Sequence, residues 1–171
     1  MFLPIYYQQA SLILTQCKSA NYNPTFFGCD GLDGLLSIKN FDTSLCEGVM
    51  LLTPFAADAQ DQATQDFVKK YKDAYKGETP NQFAADAYDG VMVLAELMKK
   101  EGITADMSAS DICDKLKKAI TDKDFSYDGL TGTGMKWGED GAVSKDPKAV
   151  IIKNGAYSAL TADDIAASTA Q

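Results

Sequence analysis

Two phenols, Tyr6 and Tyr7, and one carboxylate, Asp30 followed by Gly31, are the side chains best placed to do chemistry. A carboxylate beside aromatic faces suits a small cationic group such as an α-ammonium. What must bring them together is local structure. The stretch Phe2-Leu-Pro-Ile-Tyr-Tyr7 and the stretch Thr25-Phe-Phe-Gly-Cys-Asp30 both read as short buried strands, apolar and bounded by Pro, Gly and Asp. Between them Ala10, Leu12, Ile13, Leu14 and Cys17 give one apolar helical face, so a helix is expected from Gln8 to Ser19. Parallel strands joined by a helix end on one edge of a sheet, and open α/β sheets bind small ligands at that edge. Side chains alternate along a strand, so only one of the two tyrosines is expected to touch a ligand.

Composition narrows the function. The chain has 171 residues, 46% of them hydrophobic and 23% charged, which is enough for an ordinary globular core. Its net charge of −8 argues against nucleic acid and anionic membranes, which reward clustered Lys and Arg. There is no His, which removes the usual general base, the His-paired nucleophiles and the commonest zinc ligand. No apolar run approaches the roughly 20 residues of a membrane-spanning helix. Met1-Phe-Leu-Pro-Ile lacks the charged start and long apolar stretch of a signal peptide. Met1 opens almost directly on a strand, and the expectation drawn from this is that an N-terminal part is missing.

Cys17, Cys29, Cys46 and Cys113 show no CxxC spacing. Buried thiols are the preferred reading over a metal site, and a disulfide stays open. Asp122, Asp124 and Asp128 match alternating calcium ligands only loosely, without the closing Glu. Asp86, Asp89 and Glu96 on one helix read as solvated surface rather than as a catalytic carboxylate pair. Gly129 to Gly134 lacks the Lys-Ser/Thr ending of a phosphate loop.

The remaining elements follow from period and punctuation. Leu32 to Lys39 can form a short helix, and Glu47 to Thr53 a third buried strand ended by Pro54-Phe55. Helices are expected over Asp61–Tyr75, over Gln82–Lys100 after Thr79-Pro80-Asn81, and over Ser110–Thr121 with Ser108 or Ser110 as cap. A strand through Met135 and Trp137 leads to a Glu-Asp-Gly turn. Ala149–Lys153 is the last full strand, turned by Asn154-Gly155, with Tyr157 on a short return. Residues 161–171 are small and polar and are expected to fray.

Several stretches carry a family resemblance through their order and spacing. They are Leu3-Pro-Ile-Tyr-Tyr7, Phe27-Gly-Cys-Asp30-Gly31, Glu47-Gly48 before Thr53-Pro54-Phe55, Phe67-Val-Lys-Lys-Tyr71, Pro80-Asn-Gln-Phe-Ala84, Ala87-Tyr-Asp-Gly90, and Gly129-Leu-Thr-Gly-Thr-Gly134 before Trp137 and Gly141. Together they resemble the C-terminal half of type I periplasmic binding proteins, within them the branched-chain or amino-acid-binding components of ABC transporters. The resemblance implies an α/β, type I periplasmic-binding-protein fold, present in part as a parallel sheet with flanking helices and elements of the other lobe. It implies that residues 1–54 and 148–160 belong to the second, ligand-binding lobe and 55–147 to the returning part of the first.

The same resemblance implies a non-catalytic binding protein without a cofactor, and an amino acid clamped between two lobes. It implies a membrane permease as partner, and a place outside the cytoplasm, as a lipoprotein in a Gram-positive cell. The site residues it implies are Asp30 for the ammonium, Tyr7 and then Tyr6 for aromatic contact, Gly31 beside them, and Phe55 at the hinge. Asp33 is the weaker candidate and can instead cap the following helix. Helices of 58–121 would normally cover a sheet of the first lobe, so a homodimer through their apolar faces is also expected. A sensory ligand-binding module of the same fold, and an α/β hydrolase-like enzyme, stand as rival readings.

Overall fold

The computed structural model describes residues 1–169. Two compact units divide the chain: Met1–Gln82 with Pro147–Gln171, and Phe83–Asp146. The expected break after residue 54 therefore differs from the boundary of the compact units. Residues 55–82 stay with the first unit because Phe55 meets Phe67 edge-on and Gln82 bonds back to residues 30, 33 and 53.

The first unit is built on a five-stranded sheet, ordered β1 (Phe2–Leu3), β2 (Phe27–Gly28), β3 (Met50–Thr53), β6 (Lys148–Lys153) and β7 (Ala156–Ala159). β1, β2 and β3 are parallel, in the register Phe2↔Phe27↔Met50. β6 runs antiparallel to β3, with Met50 opposite Ile151, and β7 returns beside it. Helix α1 (Tyr7–Ser19) makes the crossover from β1 to β2 and buries Ala10, Leu14 and Cys17. Ala10 and Leu14 pack with Leu3, Leu32, Leu35, Val49, Leu51 and Ile152 in one apolar core. Each large aliphatic side chain fully buried there stabilises the unit by about 2 kcal/mol.

The first three strands are shorter than their apolar runs. The chain leaves β1 after Leu3, and Tyr6 becomes the residue before α1, so strand alternation does not apply to Tyr6 and Tyr7. The expected helix over 32–39 is two 3₁₀ turns, Asp30–Leu32 and Leu35–Ser37. Gly34 between them sits at φ +115°, a conformation that stops a continuous helix. Helix α2 (Gln62–Ala74) is capped by Asp61, whose carboxylate accepts from Thr64 N at 2.9 Å.

The tail expected to fray is helical instead: α5 spans Ala162–Thr169. The Asp164 carboxylate accepts from Thr161 N and Oγ1 and pairs with Lys153 of β6, which fixes the first turn. Residues 170 and 171 lie outside the described residues.

The second unit holds α3 (Gln82–Lys100) from residue 83 onward, α4 (Ala109–Ile120), and the hairpin β4 (Lys136–Trp137) with β5 (Val143–Ser144). Ser108 caps α4, its hydroxyl accepting from Asp111 N at 3.1 Å. Its core is Val93, Leu97, Ala119 and Phe125, with Trp137 tilted on Phe125 at 6.0 Å. α3 is apolar well beyond this core: Tyr88, Val91, Met92, Leu94 and Met98 are exposed on its other side.

Candidate functional site

Parallel pairing of β1 with β2 puts the chain leaving each strand at the same sheet edge. There the two exits touch. A Cβ on Gly31 would lie 2.7 Å from the Ile5 carbonyl oxygen and 3.4 Å from Tyr6 Cα, so the backbone of residue 31 fits against the β1 exit only as glycine. Gly31, next in sequence to Asp30, is thereby set beside Tyr6. Tyr6 is 63% exposed. Tyr7, the first residue of α1, is half-buried, and its ring lies against Gly34.

Burial within the turn is uneven. Asp30 is exposed while residues 31–35 are all buried. Asp33, the weaker ligand candidate that can instead cap a helix, is 4% exposed and reaches out of its own turn. Its carboxylate accepts from Gln82 N at 2.6 Å and bonds the Tyr157 hydroxyl. Tyr157 also accepts from Gly34 N at 3.2 Å. Burial, and then the nearby Asp33 charge, push the Tyr157 phenol far above the usual tyrosine range, so it stays a neutral donor.

Gln82, which sequence reasoning did not single out, is 1% exposed. Its Nε2 donates to the Asp30 carbonyl at 2.5 Å, and its Oε1 accepts from Thr53 Oγ1 at 3.3 Å. The only sequence signal was its place directly after Thr79-Pro80-Asn81, where a helix starts.

Phe55 is 2% exposed, packed on Phe67, and lines a hollow of about 500 Å³ in the first unit with Asp33, Asp58, Lys72 and Tyr157.

Asp89 departs most from its solvated-surface reading. It is 4% exposed, and its two oxygens accept from Leu130 N (2.9 Å), Thr131 N (2.8 Å) and Thr131 Oγ1 (2.8 Å). Lys145 joins Thr131 to Asp86, with Nζ 2.8 Å from the Asp86 carboxylate. The signal was the glycine-rich stretch 129–134, whose backbone donors need an acceptor.

No group of three or more metal-ligating side chains occurs among the described residues. All four cysteines are free thiols, which closes the disulfide left open by sequence. Only Cys113 is exposed. Burial pushes the Cys46 thiol up to about 12, so it stays protonated.

The sequence profile of the periplasmic binding proteins matches residues 3–156. The chain belongs to that family. Its fold is the type I periplasmic binding protein fold, and three solved structures show the likeness. A leucine-binding protein from Thermotoga maritima is 24% identical over 95% of this chain, with a TM-score of 0.70. A branched-chain amino acid transporter substrate-binding protein from Streptococcus pneumoniae, in complex with isoleucine, is 23% identical over 92%, with a TM-score of 0.73. An extracellular ligand-binding receptor from Rhodopseudomonas palustris is 19% identical over 94%, with a TM-score of 0.77. The chain spans 45%, 42% and 47% of those three, less than half of each. No curated protein matches the sequence.

Proposed function

We propose that this chain supplies the ammonium-binding part of an amino-acid-binding protein that serves an ABC transporter, with a branched-chain amino acid as ligand. The observation that carries the reading is the close approach of Gly31 to Ile5 and Tyr6 at the parallel strand ends, next in sequence to an exposed aspartate, Asp30. Asp30 takes the ammonium, and Tyr6 supplies an aromatic face. Tyr7, against Gly34, shapes the floor. Phe55 serves packing more than contact.

The intact protein then works outside the cytoplasm, in a periplasm or as a cell-surface lipoprotein. It closes two lobes on the amino acid and presents the closed form to a membrane permease. Tighter binding by the closed form is what shifts the population. The chain is read as non-catalytic, a direction supported by its likeness to a leucine-binding protein and to a transporter substrate-binding protein.

Titration of the chain with leucine, isoleucine, valine and glutamate, followed by NMR at millimolar ligand, tests this. The three branched ligands should move the amide signals of Asp30, Gly31 and Tyr6. Asp30→Asn should weaken leucine by roughly tenfold or more, the worth of one charge-assisted hydrogen bond. If none of the four ligands perturbs those amides, the proposal fails.

A further inference from the structure

The turn that carries Asp30 does not hold itself in place. Its internal bonds are one-turn contacts, Leu32 N to Cys29 O and Asp33 N to Asp30 O. Long-range bonds reach the turn from two residues, Tyr157 and Gln82. Tyr157, from β7, takes Asp33 and Gly34. Gln82, more than 45 residues away in sequence, takes the same turn at both ends: its backbone N–H goes to the Asp33 carboxylate and its Nε2 to the Asp30 carbonyl. The remaining acceptor of the amide is occupied by Thr53 at the end of β3.

A glutamine at 1% exposure is out of reach of solvent, so each bond it makes is a fixed geometric constraint. Asp30 is the one residue of 30–35 that faces solvent. Its carboxylate therefore stands on a backbone whose position the Gln82 amide sets.

We infer that Gln82 is a positioning residue of the ligand site: by holding the Asp30 carbonyl it sets where the Asp30 carboxylate meets an ammonium group. This rests on the role given to Asp30 above. A carboxylate that drifts loses a charge-assisted bond to the ammonium, while contacts to the rest of the ligand persist. Loss of Gln82 should thus be felt by the amine of a ligand and not by its carbon skeleton.

The probes are leucine and 4-methylpentanoic acid, which is leucine without the amine. Gln82→Met keeps the length of the side chain and removes both amide bonds. Expected is a loss of about tenfold in leucine affinity with 4-methylpentanoic acid unchanged, faster hydrogen exchange at residues 31–34, and unaltered exchange in β6. An equal loss for both ligands marks a merely structural residue and overturns the inference, as does an unchanged leucine affinity.

Should Gln82→Met not fold, the unmodified chain still decides. The Gln82 side-chain NH₂ signals must shift on adding leucine and stay put with 4-methylpentanoic acid; no shift with leucine refutes the positioning role. The two levels separate cleanly. If the unmodified chain does not prefer leucine over 4-methylpentanoic acid, the role of Asp30 falls and takes this inference with it. If that preference exists and Asp30→Asn abolishes it while Gln82→Met leaves it intact, only the inference about Gln82 is wrong.

Discussion

Each unit of the chain contains one buried aspartate that grips a glycine-bearing loop, and the two are used differently. In the second unit Asp89 accepts three hydrogen bonds from Leu130 and Thr131, and both its oxygens are consumed by them. In the first unit Asp33 is held by Gln82 and Tyr157, and the turn it anchors presents a second carboxylate, Asp30, to solvent. The first arrangement spends its charge on shape. The second separates the labour: a buried acid fixes the turn, and an exposed neighbour is left for a ligand. A carboxylate near glycines is therefore no guide to function until its partners are counted.

Replacing the anchor of the second unit should produce the largest effect. Asp89→Ala strands the Leu130 and Thr131 donors and should cost about 3–4 kcal/mol in urea unfolding. Asp30→Ala, on the exposed side of the comparison, should stay within about 0.5 kcal/mol of the parent. Equal costs for the two would erase the distinction drawn here.

An intermediate effect tests the first unit's anchor. Tyr157→Phe removes the hydroxyl that serves Asp33 and Gly34 but keeps the ring, and should cost about 1–1.5 kcal/mol by thermal or urea unfolding. A cost as large as that of Asp89→Ala would mean that the 30–34 turn is no less dependent on one side chain than the 129–131 loop.

The smallest effect concerns an acid anchor of a third kind, Asp164. Bonds from Lys153, then Thr161, hold its carboxyl down to about 2. The folded value lies below that of the unfolded chain, so the tether of α5 is complete above about pH 4 and fades as pH falls toward 2. Amide signals of 162–169 should weaken over that range before those of the 30–34 turn. Simultaneous loss would deny α5 its separate acid dependence.

Much of this was legible in the sequence, and unevenly so. Gln82–Lys100 is legible to the residue because a proline-led start and Gly102 bracket a long apolar period. Ser108 is legible as one of two cap candidates, whereas Asp61, placed by the apolar period inside its helix, proves to be the cap. Strands were overdrawn, since an apolar run marks burial, and Ile5 and Tyr6 are placed by contact with Gly31 rather than by pairing. The shared sheet edge of the two strand exits follows from strand–helix–strand order alone. The placement of Gln82, Asp33 and Asp89 does not, because partners such as Gln82 for Asp33 and Leu130 for Asp89 lie 49 and 41 residues away and no local pattern marks them as buried. The helix over 162–169 was missed for a smaller reason: Thr161 with Asp164 is a cap, but small polar composition masked it.

The apolar side of α3 left open to solvent has a practical corollary. Copies of this chain repel one another through a charge of −8, and that repulsion acts over about 10 Å in 0.1 M salt and only about 3 Å in 1 M. Concentrated salt strips away this electrostatic shield while strengthening the cohesion of greasy surfaces, so dilute buffer is the kinder storage medium and salting-out the quicker route to clumping.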